Sequence, residues 1–196
     1  MSGYKTPMAD SLKERLVDAA LKLLEEGGPK AFSQARVAKE AGIQQGHLTY
    51  YFPRKADLVA AVLERFAEEG DATFRRLAEK VAGSERAVLE AVAVNQVRTL
   101  IRDKRRIRAL LSLLVQGFED PDVLKTLEER GLTNRVFLAG FLGRAPEDPD
   151  VELAFATLRG LALQNLLHRY DARRVDQLVA RFRQWLDALP PRKDAP

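Results

Sequence analysis

The stretch GIQQGHLTYYFPRK, residues 42–55, places two glutamines, a histidine, a threonine and two tyrosines in one short segment. Pro53 has to stop any helix that precedes it, so this pattern predicts a short helix from about Gln44 to Phe52. On a helical wheel Leu48 and Phe52 share one face, with Tyr51 at its edge, and that face can pack on neighbouring helices. The opposite face carries small and polar groups, which are Gly46, His47, Thr49 and Tyr50.

A second short helix is predicted directly before this one. Ser33 can cap its N-terminus, its apolar positions include Val37 and Ala38, and Gly42 ends it. Two short helices joined by a tight turn, the second with its polar side chains outward, predict a helix-turn-helix over about residues 34–53. The second helix of such a motif enters the major groove of DNA and reads base edges with its N-terminal residues.

The polar side chains of this motif are suited to duplex DNA in two ways. The amides of Gln44 and Gln45 match adenine edges, and Thr49 can contact a thymine methyl group. Hydroxyl groups and a lysine at a helix N-terminus are suited to phosphate oxygens. The predicted DNA-binding set is Ser33, Gln34, Gln44, Gln45, Gly46, His47, Thr49, Tyr50, Tyr51 and Lys55. The competing interpretation is an aromatic-rich core helix, which four outward positions without an aliphatic side chain disfavour.

The distribution of charge agrees with a polyanion as partner. The formal net charge is +4, and residues 1–55 hold nine of the 32 Lys and Arg but six of the 28 Asp and Glu. Most of the excess, +3, therefore lies in the first quarter of the chain, beside the predicted helix-turn-helix. Local basicity is typical of nucleic-acid binding, although this excess is modest.

Helical periodicity continues along the rest of the chain, and strand-like alternation is absent. A capping box at Ser11 and Glu14 predicts the start of the first helix. Further amphipathic helices are predicted over residues 56–82, 85–102, 105–118, 121–143, 150–168 and 172–189. The fold class is therefore all-α, with about nine helices. We expect an N-terminal three-helix DNA-binding domain over residues 9–69 and a larger C-terminal helical domain over residues 70–196.

Three stretches in register resemble the tetracycline-repressor (TetR) family of transcriptional regulators. They are LVDAALKLLEEG at 16–27, VAKEAGI at 37–43 after the Ser33 cap, and LTYYFPRKADL at 48–58. The resemblance covers roughly residues 10–65, and Gly42, Phe52 and Lys55 match the family pattern outright. The family usually has Tyr where Thr49 stands and His where Tyr51 stands, and both of those side chains are expected to contact the DNA backbone. Phosphate contacts are therefore expected to be redistributed among Thr49, Tyr50 and Tyr51.

The resemblance implies a sequence-specific regulator, usually a repressor, that binds a pseudo-palindromic double-stranded operator as a homodimer. In this family the last two long helices form a four-helix bundle with a second copy. Here helices 150–168 and 172–189 would take that role, with Leu161, Phe182 and Trp185 at the dimer interface. The alternative, that both are ordinary core helices, stays open.

The C-terminal domain is also expected to bind a small organic effector. Helices 85–102, 105–118 and 150–168 should enclose an apolar pocket, a common ligand site between helices. Polar side chains stand at or beside their apolar faces, and these are Asn95, Gln96, Thr99, Gln116, Asn165 and His168. Such groups either pair with one another as structural hydrogen bonds or await a ligand. Since none is a carboxylate or an evident cation, we expect a neutral or amphipathic effector.

Other classes of function find little in the sequence. The chain has no Cys and only two His, 121 residues apart, so we expect no enzyme, no metal site and no cofactor. No apolar run approaches the ~20 residues of a membrane span, and the polar start is no signal peptide, which predicts a cytoplasmic protein. Two alternatives remain: an architectural DNA-binding protein without an effector, and a helical scaffold with a vestigial helix-turn-helix. Binding to an operator compared with random DNA separates them.

Overall fold

Helices make up all the regular structure in the part of the chain that the structure, a computed structural model, describes: residues 7–78, 94, 95, 97–99 and 101–189. The all-α prediction is thereby confirmed. The described helices are α1 (Pro7–Lys22), α2 (Gln34–Glu40), α3 (Gln45–Tyr51), α4 (Lys55–Ala78), α5 (helical residues 94, 95, 97–99, 101 and 102), α6 (Lys104–Glu119), α7 (Pro121–Leu142), α8 (Pro149–His168) and α9 (Ala172–Asp187).

The first helix begins earlier than its prediction. Helix α1 begins at Pro7, so Ser11 lies inside it and the predicted capping box is wrong. Proline is tolerated in a first helical turn, where its missing N–H is not needed, and this lets the helix begin earlier. After Lys22 the chain forms one π-helical turn, Leu23–Gly27, and then a 3₁₀ turn, Pro29–Ala31. Gly28 joins the two turns at φ 70°, a conformation that favours glycine.

By its internal contacts the chain divides into two units. Unit 1 comprises the described residues of 1–68 together with 108–128, and unit 2 comprises those of 69–107 and 129–196. Unit 1 therefore joins residues 108–128 to the N-terminal helices. The expected division into domains after residue 69 stays a prediction.

One apolar cluster holds unit 1 together. Leu16, Leu24, Val37, Leu48 and Leu58 are each 0% exposed, and they come from five different segments of the chain. Their spacing on each helix places one apolar stripe inward, and burial of such stripes is the main favourable term in folding. The buried residues that α6 and α7 add to this cluster are Ala109, Leu113 and Val123.

Unit 2 has two smaller clusters among its described residues. One forms around Ile101 with Val175 and Val179, and the other joins Phe182 to α8. Aspartate caps begin the last two helices: Asp148 accepts from the N–H of Asp150, and Asp171 accepts from the N–H of Arg174. These caps satisfy backbone donors that have no partner within the helix.

Candidate nucleic-acid interface

Helices α2 and α3 form the predicted helix-turn-helix. The Ser33 hydroxyl accepts from the N–H of Arg36 at 3.3 Å and so caps α2. Gly42, at φ 69°, turns the chain, and the N–H of Ile43 then donates to the carbonyl of Ala38 at 2.9 Å. A residue with a Cβ would be strained at this φ, so glycine fixes the sharp turn between the two helices.

Helix α3 has one buried face and one exposed face. Leu48 is 0% exposed and Phe52 2% exposed, and both belong to the core cluster of unit 1. Tyr50 is 81% exposed, and the other exposed positions at the start of the helix are Gln44, Gln45, Gly46 and His47. This is the division of faces that the helical wheel predicts. The exposed face has the shape and chemistry of a recognition helix, since its N-terminal turn offers amide and imidazole groups.

Two residues of the predicted DNA-binding set hydrogen-bond to backbone carbonyls. The Gln34 amide nitrogen donates to the carbonyl of Phe52 at 2.8 Å, which ties the start of α2 to the end of α3. The Thr49 hydroxyl lies 3.0 Å from the carbonyl of Gly46 and 3.3 Å from that of Gln45. Gln34 therefore positions the recognition helix, and its hydrogen bond to Phe52 restrains it.

The two adjacent tyrosines have different surroundings. Tyr51 is half-buried and packs against the core cluster, whereas Tyr50 projects from the surface. Their rings meet edge to face, with centroids 5.2 Å apart and an angle of 89°. This arrangement is a favoured one for aromatic pairs, so Tyr51 restrains the ring of its exposed neighbour.

The start of α4 carries two basic residues close to the end of α3. Asp57 accepts from the Arg54 N–H at 2.9 Å and pairs with the Arg54 guanidinium at 2.6 Å. The hydrogen bond from Arg54 lowers the pKa of the Asp57 carboxyl below its usual value, so the cap stays charged. Lys55 is half-buried, and its ammonium donates to the Gln116 amide oxygen.

Two side chains of α1 contact the helix-turn-helix, and the sequence analysis did not predict these contacts. The Arg15 guanidinium donates to the carbonyl of Ala41 at 2.8 Å, at the turn that separates α2 from α3. Lys22 pairs with Glu40 at 2.6 Å, and this hydrogen bond raises the pKa of the Lys22 ammonium. A basic residue on an exposed helix face carries no signal of such a contact, since only the fold brings residues 15 and 41 together.

The residues expected in an effector pocket do not form one group. Gln116 belongs to unit 1, where its nitrogen donates to the carbonyl of Pro29 at 2.9 Å. Asn165 belongs to unit 2 and is 1% exposed; it donates to the carbonyl of Ile101 at 2.6 Å and accepts from the N–H of Tyr170 at 2.7 Å. Both amides thus make structural hydrogen bonds within the protein. Backbone groups satisfy Asn165, and Gln116 pairs with the Pro29 carbonyl and the Lys55 ammonium. Asn95 and Thr99 are half-buried, His168 is exposed and stacks on Tyr170, and Gln96 lies outside the described residues.

The three residues expected at a dimer interface differ in exposure. Phe182 is 6% exposed and belongs to a core cluster of unit 2, and Leu161 is half-buried against the other cluster. Trp185 is 36% exposed and lies next to Phe182, with ring centroids 5.7 Å apart. Phe182 therefore serves the core of its own protomer, and of the three only Trp185 is exposed.

Within the described part of the chain, no group of three His, Asp or Glu side chains could hold a metal ion. Of the helices whose residues are described, none is long and apolar enough to cross a membrane. A capped α2, a glycine turn and an exposed polar α3 define the class: this is a helix-turn-helix DNA-binding protein.

Comparison with known proteins relates the N-terminal part of the chain to a family. Residues 16–62 match the family described as bacterial regulatory proteins, tetR family. The regulator CymR of Pseudomonas putida is 27% identical over 161 residues, 78% of this chain and 78% of CymR. The regulator AcrR of Shigella flexneri is 24% identical over 111 residues, which are 57% of this chain and 51% of AcrR. This chain therefore spans about half the length of AcrR. Both relatives are HTH-type transcriptional regulators.

A solved structure shares the fold beyond the helix-turn-helix. A transcriptional regulator from Saccharomonospora viridis, solved in complex with choline, has a TM-score of 0.66 and 15% sequence identity. The likeness covers 91% of this chain and 97% of that one. At this identity it shows the fold alone.

Proposed function

We propose that this chain is a ligand-responsive repressor that binds a pseudo-palindromic operator as a homodimer in the cytoplasm. One observation carries the DNA-binding part of this proposal. The first turn of α3 exposes Gln44, Gln45, Gly46 and His47, while Leu48 seals the helix onto the core. A helix held rigidly by its apolar face, with amides free at its N-terminal end, is suited to reading base edges.

The residues divide into those that read bases and those that bind phosphates. Gln44, Gln45, Gly46, His47 and Thr49 are assigned to base edges. Ser33, Tyr50, Tyr51 and Lys55 are assigned to phosphates, with Tyr50 as the more accessible tyrosine. Arg54 joins them as an addition from the structure, because it stands exposed beside Lys55 at the start of α4. Charged and hydroxyl groups fix the register on the backbone, whereas amides carry the specificity.

The experiment that tests this division begins with an operator selected from random DNA. Affinity is then measured for operator and for random duplex over a range of salt concentrations. Lys55→Ala should weaken both and lower the slope of log affinity against log salt by about 0.9, which is one phosphate contact. Gln45→Ala should cost about 1–3 kcal/mol on the operator only.

A matched control uses an exposed glutamine far along the sequence. Gln177 is exposed on α9, so Gln177→Ala should leave both affinities unchanged. Equal affinity of the wild-type chain for operator and random DNA would instead identify an architectural DNA-binding protein. No binding to either would identify a scaffold with a vestigial motif.

The homodimer part of the proposal rests on an exposed face of α8. Leu153, Leu163 and Leu167 are 55%, 38% and 65% exposed, and their spacing places them along one side of the helix. Gly160 lies between them, and a Cβ built there would meet no atom within 4 Å. Contiguous exposed apolar side chains mark an interface, and a glycine among them lets a partner helix approach closely. This face, with Trp185, replaces the interface expected from Phe182.

Gly160→Leu tests the dimer without disturbing the protomer. The Cβ of the new side chain has open space within one chain, whereas the leucine would obstruct a close helix–helix contact between two chains. We expect monomers by analytical ultracentrifugation at micromolar concentration, and weaker operator binding. Gly140→Leu on α7 is the matched control, because a Cβ there also meets nothing within 4 Å. A Gly160→Leu variant that dimerises as the wild type does would refute this interface.

The effector is proposed to bind unit 2 as a neutral or amphipathic organic molecule. The Saccharomonospora viridis protein, solved in complex with choline, supports the idea that this fold accepts small organic molecules. Since Gln116 and Asn165 are already satisfied, the remaining candidates are Asn95, Thr99, His168 and the undescribed Gln96. If the ligand weakens operator binding by a given factor, the operator has to weaken ligand binding by the same factor. Calorimetry with and without operator tests this, and equal affinities would show that the ligand is not the switch.

A further inference from the structure

Three side chains on one face of α6 hold the connection between α1 and α2. Arg108, Ser112 and Gln116 are spaced four residues apart, so they follow one another along a single side of the helix. The Arg108 guanidinium donates to the carbonyl of Glu26 at 3.3 Å, and the Ser112 hydroxyl donates to that of Leu24 at 3.3 Å. The Gln116 amide nitrogen donates to the carbonyl of Pro29 at 2.9 Å.

This connection needs such donors because of its backbone geometry. Carbonyls at the end of a helical segment have no partner further along the same helix. The π-helical turn Leu23–Gly27 ends at Gly28, and the 3₁₀ turn Pro29–Ala31 begins directly after it. Of the three carbonyls, that of Pro29 also accepts from the backbone N–H of Phe32. Ser112 is 3% exposed and Gln116 is 6% exposed, and buried polar groups must be paired. The row therefore fixes the connection that carries the chain into α2.

Gln116 makes a second contact that the other two do not. Its amide oxygen accepts from the ammonium of Lys55, the first residue of α4. A carbonyl can only accept and an ammonium can only donate. The amide nitrogen therefore has to face the Pro29 carbonyl, and the amide oxygen has to face the Lys55 ammonium. One buried amide thus joins the backbone at Pro29 to a lysine at the DNA-facing end of unit 1.

We propose that Gln116 is a positioning residue for DNA binding, which holds the Lys55 ammonium where it meets a phosphate. This inference rests on the phosphate-binding role proposed above for Lys55. A lysine side chain is flexible, and ordering it on binding costs conformational entropy. An anchored acceptor orders it in advance and uses one of its three N–H donors, so two remain for phosphate oxygens.

The chemistry of the acceptor supports this role. An amide oxygen orients the ammonium without cancelling its charge, whereas a carboxylate at the same place would compete with phosphate as an ion-pair partner. The Phe32 ring lies 6.0 Å from the same ammonium and adds a second weak restraint. A neutral polar residue at position 116 is therefore what a pre-ordered phosphate contact requires.

The test combines Gln116→Leu with Lys55→Ala in a double-mutant cycle on operator DNA. Gln116→Leu should weaken binding about threefold to tenfold, a typical coupling between contacting residues, while the salt slope stays at its wild-type value because the Lys55 charge remains. Lys55→Ala should lower that slope by about 0.9. In the double variant, Gln116→Leu should weaken binding no further, since there is no ammonium left to position.

Two further variants separate positioning from general loosening of unit 1. Ser112→Ala removes the neighbouring hydrogen bond to the same connection but contacts no proposed DNA-binding residue, so operator affinity should stay within about twofold. Gln116→Glu keeps an acceptor but adds a charge, so it should lower the salt slope as well as the affinity. Gln116→Met, which also lacks an acceptor, replaces Gln116→Leu if circular dichroism shows that the leucine variant is unfolded.

The outcomes distinguish the two proposals. If Lys55→Ala leaves DNA affinity and salt slope unchanged, the phosphate role of Lys55 is wrong. If Lys55→Ala weakens binding but the folded Gln116 variants bind as the wild type does, Lys55 stands and the positioning role is overturned. Effects of the two substitutions that simply add in the double variant would also overturn it.

Discussion

Unit 1 and unit 2 bury their apolar side chains to different extents. In unit 1 the described helices α1 to α4 share one cluster with α6 and α7, and Leu48 and Leu58 are completely inaccessible. In unit 2 the described residues form two small clusters, while Leu153 and Leu167 on α8 are 55% and 65% exposed. The same residue type is thus enclosed in one unit and exposed in the other.

This difference shows that an apolar residue on a helix is not always buried within its own chain. Helix α3, only seven residues long, is stabilised by the core beneath it, because so short a helix is marginal by itself. Helix α8 is 20 residues long and presents apolar residues on more than one side. A row of exposed apolar residues marks an interface, and a second copy of the chain is the partner proposed above. Four predictions test the contrast, from the largest expected effect to the smallest.

The largest effect is expected from one substitution made in both units. Leu48→Ala removes a fully buried side chain and should lower the free energy of unfolding by about 2–5 kcal/mol, through lost transfer energy and the cavity left behind. Leu167→Ala, at a 65% exposed position, should change protomer stability by no more than about 0.5 kcal/mol. Urea unfolding measures both in the Gly160→Leu background, where the proposed dimer does not form, since dimerisation would otherwise add to the stability that is measured. Equal losses would mean that the two units are not packed differently.

Buried amides provide the next comparison. Asn165→Ala in unit 2 leaves the carbonyl of Ile101 and the N–H of Tyr170 without partners, and should cost about 1–3 kcal/mol. Ser112→Ala in unit 1 exposes a single carbonyl and should cost about 1 kcal/mol. Thermal unfolding followed by circular dichroism ranks them. A neutral Asn165→Ala would indicate that a ligand or water, and not the backbone, satisfies this amide.

A smaller effect is expected behind the helix-turn-helix. Arg15→Ala removes the donor to the Ala41 carbonyl and should cost about 1 kcal/mol of stability. Because that carbonyl lies at the turn between α2 and α3, operator affinity should fall as well, with an unchanged salt slope. Arg173→Ala on α9 is the matched control, since Arg173 is exposed and should change neither quantity by a measurable amount. A reduced slope for Arg15→Ala would mean that Arg15 contacts DNA directly.

The smallest effect concerns the cap of α4. Arg54 lowers the pKa of Asp57 in the folded chain, so the unfolded chain binds the proton more readily. The stabilisation is fully present above the unfolded pKa of about 3.9 and is lost as the pH falls through the folded value. Asp57→Asn should therefore be less stable than the wild type near neutral pH, by under about 1 kcal/mol because the pair is largely solvated, and the difference should vanish in acid. Unfolding curves measured from neutral pH into acid test this expectation. A stability difference between the two proteins that widened on acidification would contradict it.

Local pattern was sufficient where neighbouring residues decide the structure. The Ser33 cap, the Gly42 turn and the stop at Pro53 each act within a few residues, so α2 and α3 could be placed to within a residue. The start of α1 was misplaced because Ser11 and Glu14 fit a capping box, while Pro7 permits an earlier start. Gln116 was expected in a pocket because it stands beside an apolar face, yet its partners are 61 and 87 residues away in the sequence.

The sequence by itself determined the all-α class, the helix-turn-helix and the resemblance of the N-terminal part to the TetR family, because helical periodicity, capping and glycine or proline stops are local signals. It also separated the two faces of α3, since residues four apart on a helix share a side. Only the tertiary structure decided which polar groups were already paired: Gln116 with Pro29 and Lys55, Asn165 with Ile101, and Arg15 with Ala41. Those pairs join residues that are distant in the chain, and a hydrogen bond depends on positions in space that periodicity does not encode.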